Sequence, residues 1–258
     1  MKQSIFITVL TIAAFAIALA IYNLVFGNPA NFADGVGRSN PQGNLLGTIY
    51  TGGPLVVLLV MLLLMDIAII FERILTLKKA GGKKAVANFF KDVIGSLERN
   101  DYDGAIEACD NQRGSVANVI KASLMRYKEL TAHGKSVDAE KQLTEVQRSV
   151  EEAAMLETPM LEKNLITLST IASIATMVGL LGTVVGMIRA FAALARAGAP
   201  DAIQLATGIS EALINTAGGL ITAILGIVAY NFFVNKVDNF TYLVDEASYN
   251  VIQILKSK

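Results

Sequence analysis

The sequence predicts an all-α integral membrane protein with four transmembrane helices: one extra N-terminal helix plus a three-helix core. A helical cytoplasmic domain and long helices extending from the membrane complete the expected architecture. Three observations predict it. Charged residues make up 17% of the chain and hydrophobic ones 53%, against about 25% charged residues in soluble domains. The mean hydropathy is +0.51. The apolar residues gather in four runs near the ~20 residues a helix needs to cross hydrocarbon. The one long polar stretch, between the second and third runs, keeps helical spacing throughout.

The first run, Ile5 to Phe26, carries no charge. Lys2 before it and the small residues of "AIALA" are features of a signal peptide. Its apolar stretch outlasts a usual signal core and continues through "IYNLVF", so residues 1–26 read as a retained helix. Residues 27–53 are rich in Gly, Asn and Pro, carry only Asp34 and Arg38, and suit a periplasmic loop. The first core helix, 54–73, is apolar from Pro54 to Phe71 except at Asp66. Arg73, Lys78, Lys79, Lys83 and Lys84 follow. Because positive charge marks the cytoplasmic side, this end faces the cytoplasm, and both termini follow it there.

Residues 74–163 read as a cytoplasmic helical domain. "VANFFKDVIGSLERN", "NDYDGAIEACDNQ" and "GSVANVIKASLMRYKEL" each show helical apolar spacing, and Asp101 or Asp103 is placed to cap the second. From "SVDAEKQL" onward the periodicity runs straight into the third apolar span. One long helix is expected there, kinked or locally broken at Pro159. Glu151, Glu152 and Glu157 read as a solvated face. The second core helix, 164–192, is uncharged between Lys163 and Arg189, and the third, 206–234, has Glu211 as its one charge. A short periplasmic turn at 193–205, around Gly198, joins them. Residues 235–258, with Lys236, Lys256 and Lys258, form a cytoplasmic tail.

Composition also narrows the function. A net charge of +0 gives no field for nucleic acid. The single Cys109 excludes an internal disulfide and a cysteine-based metal cluster, and reads as a small buried residue. The single His133, in "TAHGKS", reads as a solvated loop residue. No stretch resembles a phosphate loop, a nucleophile elbow or a ligand cluster, which points away from an enzyme and from any cofactor.

The core helices carry an unusual load of small and polar residues. Ala172, Ala175, Thr176, Gly179, Gly182, Thr183, Gly186 and Ala190 fall on one broad face of the second core helix. Without a hydrophobic drive between helices in lipid, such faces permit close backbone approach. Gly179, Gly182, Gly186, Gly218 and Gly219 are therefore the expected helix-packing residues. On the third core helix Glu211, Asn215, Gly218 and Thr222 share one face, with Thr216 to its side. Counted from the turn, Thr183 and Thr216 lie at similar depths, and Arg189 lies within about a turn of Glu211. Glu211 reads as a functional intramembrane acid, or as one paired with Arg189 or reached by water at the outer interface. Asp66 reads as functional, as a helix–helix hydrogen bonder, or as a snorkelling group. Neither is well centred in the bilayer. If the protein conducts, another chain must supply the central acid.

At these residues the sequence resembles the ExbB/TolQ/MotA proton channel family, most of all ExbB and TolQ. "LSTIASIATMVGLLGTVVGMIRAF" and "GISEALINTAGGLITAILGIVAYN" match its two membrane motifs in order, either side of a short outer turn. "IIFERILTL" and "LERNDYDGAIEACDNQRGSVANVIKASL" resemble the end of its first core helix and its cytoplasmic hairpin. The resemblance covers roughly residues 54–235. It implies a homo-oligomer, a pentamer, whose second and third core helices surround a pore in the bacterial inner membrane. Single-span partners of the ExbD or TolR type, each with an intramembrane aspartate, occupy that pore. Proton flow through the aspartate energises an envelope-spanning protein such as TonB or TolA. The family's pore threonines carry over to Thr183 and Thr216, and its motif glutamate to Glu211. With them Asn215 and Thr222 make up the expected ion-pathway set, and Arg189 and Asp66 are the candidate charge partners. Thr176 and Leu225 stand where relatives often have proline, which predicts straighter helices. The expected function is that of an ExbB-like proton-channel subunit. A TolQ-like envelope-integrity motor, a sodium-driven flagellar-type stator and a non-conducting membrane scaffold are its rivals.

Overall fold

A computed structural model describes residues 2–34, 44–132, 139–195 and 201–256. His133, Arg38, the turn at Gly198 and Lys258 lie outside the described residues. Every regular element among these residues is helical, and the chain divides into two compact units. Unit 1 comprises residues 1–70 and 166–230, and unit 2 comprises residues 71–165 and 231–258. Four helices are long and apolar enough to cross a membrane: Ile5–Phe26, Leu55–Ala80, Glu140–Leu194 and Ala202–Lys256. The chain is an all-α, multi-pass membrane protein.

In unit 1, helix α1 (Lys2–Ala20) runs into a π-helical segment, Ile21–Phe26. Ala14 and Ala18 are buried while Ile5, Val9 and Ile12 are exposed, the pattern of a helix solvated by lipid. The described residues of the expected loop, 27–34 and 44–53, include regular turns of helix. Asn31 donates from Nδ2 to the carbonyls of Val25 and Phe26, closing the end of the π-helical segment. Asn44 caps a short helix, α2 (Leu45–Tyr50). Tyr50 stacks on Tyr22 with ring centres 4.6 Å apart, and the Tyr22 hydroxyl donates to the Tyr50 carbonyl. A turn through Gly52 and Gly53 then launches helix α3 (Leu55–Ala80), with Pro54 at its start, where a missing N–H costs nothing.

Unit 2 is built from α4 (Val86–Glu98), α5 (Tyr102–Gln112), α6 (Ser115–Ala132) and α7 (Ala139–Glu162), together with the end of α9 (Ala202–Lys256). Asp101 is the cap of α5, accepting from the Gly104 N–H at 2.8 Å. Cys109 is buried. Glu151 and Glu152 are exposed, whereas Glu157 is half-buried and accepts from Asn118 Nδ2 at 2.7 Å.

Two expectations change here. Pro159 lies inside α7, and the break falls instead at residues 163–164, before α8 (Leu165–Leu194). A proline removes one helical hydrogen bond, whereas Asn164 adopts φ 63°, the left-handed conformation that ends helices. Its Nδ2 donates to Glu72, which also holds the guanidinium of Arg73. Arg73, one of the positive charges that mark the cytoplasmic side, is fully buried and donates to the Leu161 carbonyl at 3.1 Å. Second, residues 235–256 are not a loose tail but the last turns of α9. Val237, Phe240, Val244, Ala247, Val251 and Leu255 are buried at alternating three- and four-residue steps, the seam of a packed helix.

Candidate ion-pathway site

Helices α8 and α9 meet over a ladder of glycines in unit 1. A Cβ added at Gly179 would lie 3.2 Å from Gly219 Cα, and one at Gly219 would lie 2.7 Å from the Ala175 carbonyl. At Gly186 it would meet the Ala212 nitrogen at 2.6 Å and the Gly208 carbonyl at 2.7 Å. At Gly182 it would run into the Asn215 side chain. At Gly179, Gly186 and Gly219 these are backbone contacts, so the approach there is set by the missing side chains. Gly208, which the sequence did not single out, completes the ladder against Ala190. Gly218 packs elsewhere: its Cβ would meet only Leu59 of α3, at 3.2 Å.

Next to the ladder is a polar cluster. Glu211 is 3% exposed, and both its oxygens accept from Arg189 Nη1 at 2.7 Å. Of its sequence readings, the pair with Arg189 is the one formed. Gly53 backs the carboxylate: a Cβ there would lie 2.8 Å from Glu211 Oε1, and its φ of 78° also favours glycine. Asn215 is fully buried and donates from Nδ2 to the carbonyls of Gly52 (2.8 Å) and Glu211 (2.9 Å). This arrangement ties the start of α3 to α9 by two side chains and two glycines.

The five expected pathway residues are thereby divided. Glu211, Asn215 and Thr222 are turned into the interior of unit 1, and Thr222 donates to the Gly218 carbonyl at 3.0 Å. Within the chain they do not join Thr183 and Thr216 on one accessible surface, because their helical face is occupied by the chain's own packing. Thr183 and Thr216 are half-buried. Thr183 opens into a shallow apolar concavity with Val184, Met187, Ile188 and Phe191. A Cβ at Gly179 would lie 3.5 Å from Thr216 Cα. Thr183, four residues along α8, is therefore offset from Thr216 by about one turn, roughly 6 Å. Both hydroxyls are engaged as donors, Thr183 to Leu180 O at 2.6 Å and Thr216 to Ala212 O at 3.1 Å. Their oxygens remain as acceptors. Asp66, grouped with Arg189 as a charge partner, forms no ion pair among the described residues, since burial encloses it with apolar neighbours. Among the described residues no cluster of His, Cys, Asp and Glu has the makings of a metal site.

Gly52, Gly53 and Gly208 escaped the sequence reading. "TGGP" before an apolar run is a visible turn signal, but its contact with Glu211 depends on tertiary structure. The chain is similar to known proteins across this region. The family model described as the MotA/TolQ/ExbB proton channel family matches residues 113–246. The Tol-Pal system protein TolQ of Pseudomonas aeruginosa is 30% identical over 191 residues, covering 72% of this chain and 81% of that protein. TolQ of Haemophilus influenzae is 32% identical over 178 residues, 68% of this chain and 76% of that protein. The biopolymer transport protein ExbB of Pseudomonas putida is 39% identical over 88 residues, 34% of this chain, and the match spans 27% of that protein's length.

Proposed function

The chain belongs to the MotA/TolQ/ExbB proton channel family, and from that premise we propose that it is the proton-channel (stator) subunit of an ExbB–ExbD-type motor of the bacterial inner membrane. The motor would draw on the proton motive force to energise a TonB-like envelope-spanning protein for outer-membrane transport. A homopentameric ring, an ExbD- or TolR-like single-span partner with an intramembrane aspartate, and cytoplasmic placement of both termini belong to the same proposal.

One observation supports it above the others: the state of the two threonine hydroxyls. Each donates its proton to a backbone carbonyl of its own helix, so what it offers a visitor is a lone pair. A neutral carboxylic acid on a partner helix can donate to that lone pair. A carboxylate has no proton to donate, and it can pair only if the hydroxyl gives up its backbone bond and donates to it instead. The site therefore favours the protonated partner by about one hydrogen bond per threonine, ~0.5–1.5 kcal/mol each. A ring of such sites binds the loaded acid and releases it on deprotonation. A membrane scaffold would need the glycine ladder but not these hydroxyls. Glu211 serves as an anchor here: its charge is committed to Arg189, and with Asn215 it fixes the hairpin to the start of α3.

Two matches that cover more than two thirds of both chains are to TolQ, and they favour a second reading, a TolQ-like envelope-integrity motor with a TolA-like partner. Both readings share one test. Thr183→Val keeps side-chain volume and deletes the hydroxyl. Proton flux into liposomes carrying the chain and a co-purified single-span partner should fall at least several-fold in the variant, with the oligomer intact on a sizing column. Full flux in Thr183→Val would remove the role given to the hydroxyls.

A further inference from the structure

Asp66 takes no part in the threonine face or in the Arg189–Glu211 pair, yet it is the most enclosed acid of unit 1. It is 0% exposed, and neither of its carboxylate oxygens has a hydrogen-bond partner among the described residues. Beside its own helix α3, two others approach it. A Cβ built on Gly226 of α9 would lie 3.0 Å from Asp66 Oδ2, 3.1 Å from Ala172 Cβ of α8 and 3.3 Å from the Leu168 carbonyl. Glycine at 226 thus leaves the room that the carboxyl group occupies, and one main-chain carbonyl faces the same gap.

No cation answers this acid. Along α3 the nearest charges are Glu72, six residues on and already held by Arg73, and Arg73 itself. Along α9 from Gly226 the nearest titratable groups are Tyr230, Lys236, ten residues on and roughly 15 Å away at helical rise, and Glu211, fifteen residues back, roughly 22 Å. On the α8 side they are Lys163, five residues before Leu168 in the break, and Arg189, roughly 25 Å beyond Ala172. α1 is uncharged from Ile5 to Phe26. A lone carboxylate enclosed by apolar groups is among the costliest arrangements a protein can hold, whereas the neutral acid costs no more than a buried polar group.

We propose that Asp66 is a proton-binding site inside the chain, set between α3, α8 and α9 and separate from the Thr183/Thr216 face. In its loaded state Asp66 is the acid, with its O–H in the gap opened by Gly226. In its unloaded state the O–H bond has broken, the proton has passed to water, and the carboxylate must be hydrated, which spreads the three helices. Proton occupancy and helix packing are therefore linked at this point. The ligand is a proton, and the site is independent of the function proposed above.

The test uses the full chain in lipid nanodiscs and infrared spectroscopy in sodium-free buffer. At pH 7 the wild type should show the carbonyl band of a protonated carboxylic acid. The band should move on transfer to heavy water and on labelling aspartate with carbon-13. It should be lost in Asp66→Asn, retained in Glu211→Gln, and bleached at alkaline pH. Gly226→Ala, which places a methyl against Oδ2, should shift it. An aspartate-label-sensitive acid band missing from the wild type at pH 7, or one that persists in Asp66→Asn, overturns the proposal. A band that sodium ions abolish at constant pH also overturns it, in favour of a metal-cation site. If Asp66→Asn fails to fold, the labelled band's response to Gly226→Ala assigns it, and a band that Gly226→Ala leaves unmoved overturns the proposal; none of these readouts depends on transport.

Discussion

Gly186→Ala is the sharpest test of how α8 and α9 are held. The added methyl would lie 2.6 Å from the Ala212 nitrogen, 2.7 Å from the Gly208 carbonyl and 2.9 Å from Ala212 Cα. Ordinary contact begins near 3.4 Å, so the shortfall is about 0.8 Å, and every atom in the way is main chain. No rotamer can relieve it. The helices must part by about that amount, and the Gly179–Gly219 and Gly208–Ala190 contacts open with them. A radial gap of 0.5–1 Å forfeits a quarter to a half of a dispersion well, and overpacking of a tight core typically costs ~1–3 kcal/mol. We expect about 2–3 kcal/mol of lost stability for Gly186→Ala, read by denaturant titration in micelles. Gly218→Ala is the control on the same helix but outside the α8–α9 interface, because its methyl meets only the Leu59 side chain of α3, at 3.2 Å. It should cost under ~1 kcal/mol. In the double variant Gly186→Ala/Gly208→Ala the second change should add little, since the helices have already parted. A fully stable Gly186→Ala, or a Gly218→Ala that is equally damaging, would refute the reasoning.

Three further outcomes follow from other parts of the chain. Arg189→Ala leaves Glu211 enclosed and unpaired; such losses run to ~3–5 kcal/mol for fully buried pairs, but Arg189 is 57% exposed, so about 1–2 kcal/mol is expected, recovered in part by Arg189→Ala/Glu211→Gln in thermal unfolding. Asp101→Ala removes the α5 cap and should cost ~1 kcal/mol, read as a lower melting temperature with the membrane helices unchanged by circular dichroism. Burial, with Asp110 adding to it, pushes the Cys109 thiol from its ordinary 9.0 up to about 12. The unfolded chain therefore ionises first, stability is unaffected below pH 9 and declines from pH 9 towards 12, and Cys109→Ala should flatten that decline. Iodoacetamide at pH 8 should leave the native thiol unlabelled.

The membrane helices were legible because hydrocarbon imposes a length, and the uncharged runs at Ile5–Phe26 and before Arg189 meet it without reference to any other residue. The glycine ladder was legible for the same kind of reason: small residues repeating every turn have one use in lipid. What escaped was set by partners distant in sequence. Arg73 reads as a surface charge until the Leu161 carbonyl, 88 residues away, is found accepting from it. Asn164 is one more polar residue until its left-handed backbone ends the helix that Pro159 did not. Placing Glu211, Asn215 and Thr222 together on one face of α9 was correct, but a helical wheel does not say what that face meets. It meets the chain's own α2–α3 turn at Gly52 and Gly53. The α9 seam from Val237 to Leu255 steps by three or four residues, but in the sequence the charged residues that flank it mask it.

The two acids of the membrane helices separate by one physical criterion, which is whether a change in protonation can be tolerated in place. Glu211 accepts twice from Arg189 and is backed by Gly53. Its oxygens are held by a guanidinium and backed by a glycine turn, so it is a structural part of the hairpin. Asp66 has no such commitment. Its cost lies wholly in the charged form, and one proton removes it. Thr183 and Thr216, with their own protons given to backbone carbonyls, complement an acid of the second kind rather than the first: they accept from a neutral carboxyl and have nothing ready for a carboxylate. On the function proposed above, a partner carboxyl near them is expected to dock protonated and to leave on deprotonation; a membrane face with two free hydroxyl donors would work in the opposite order.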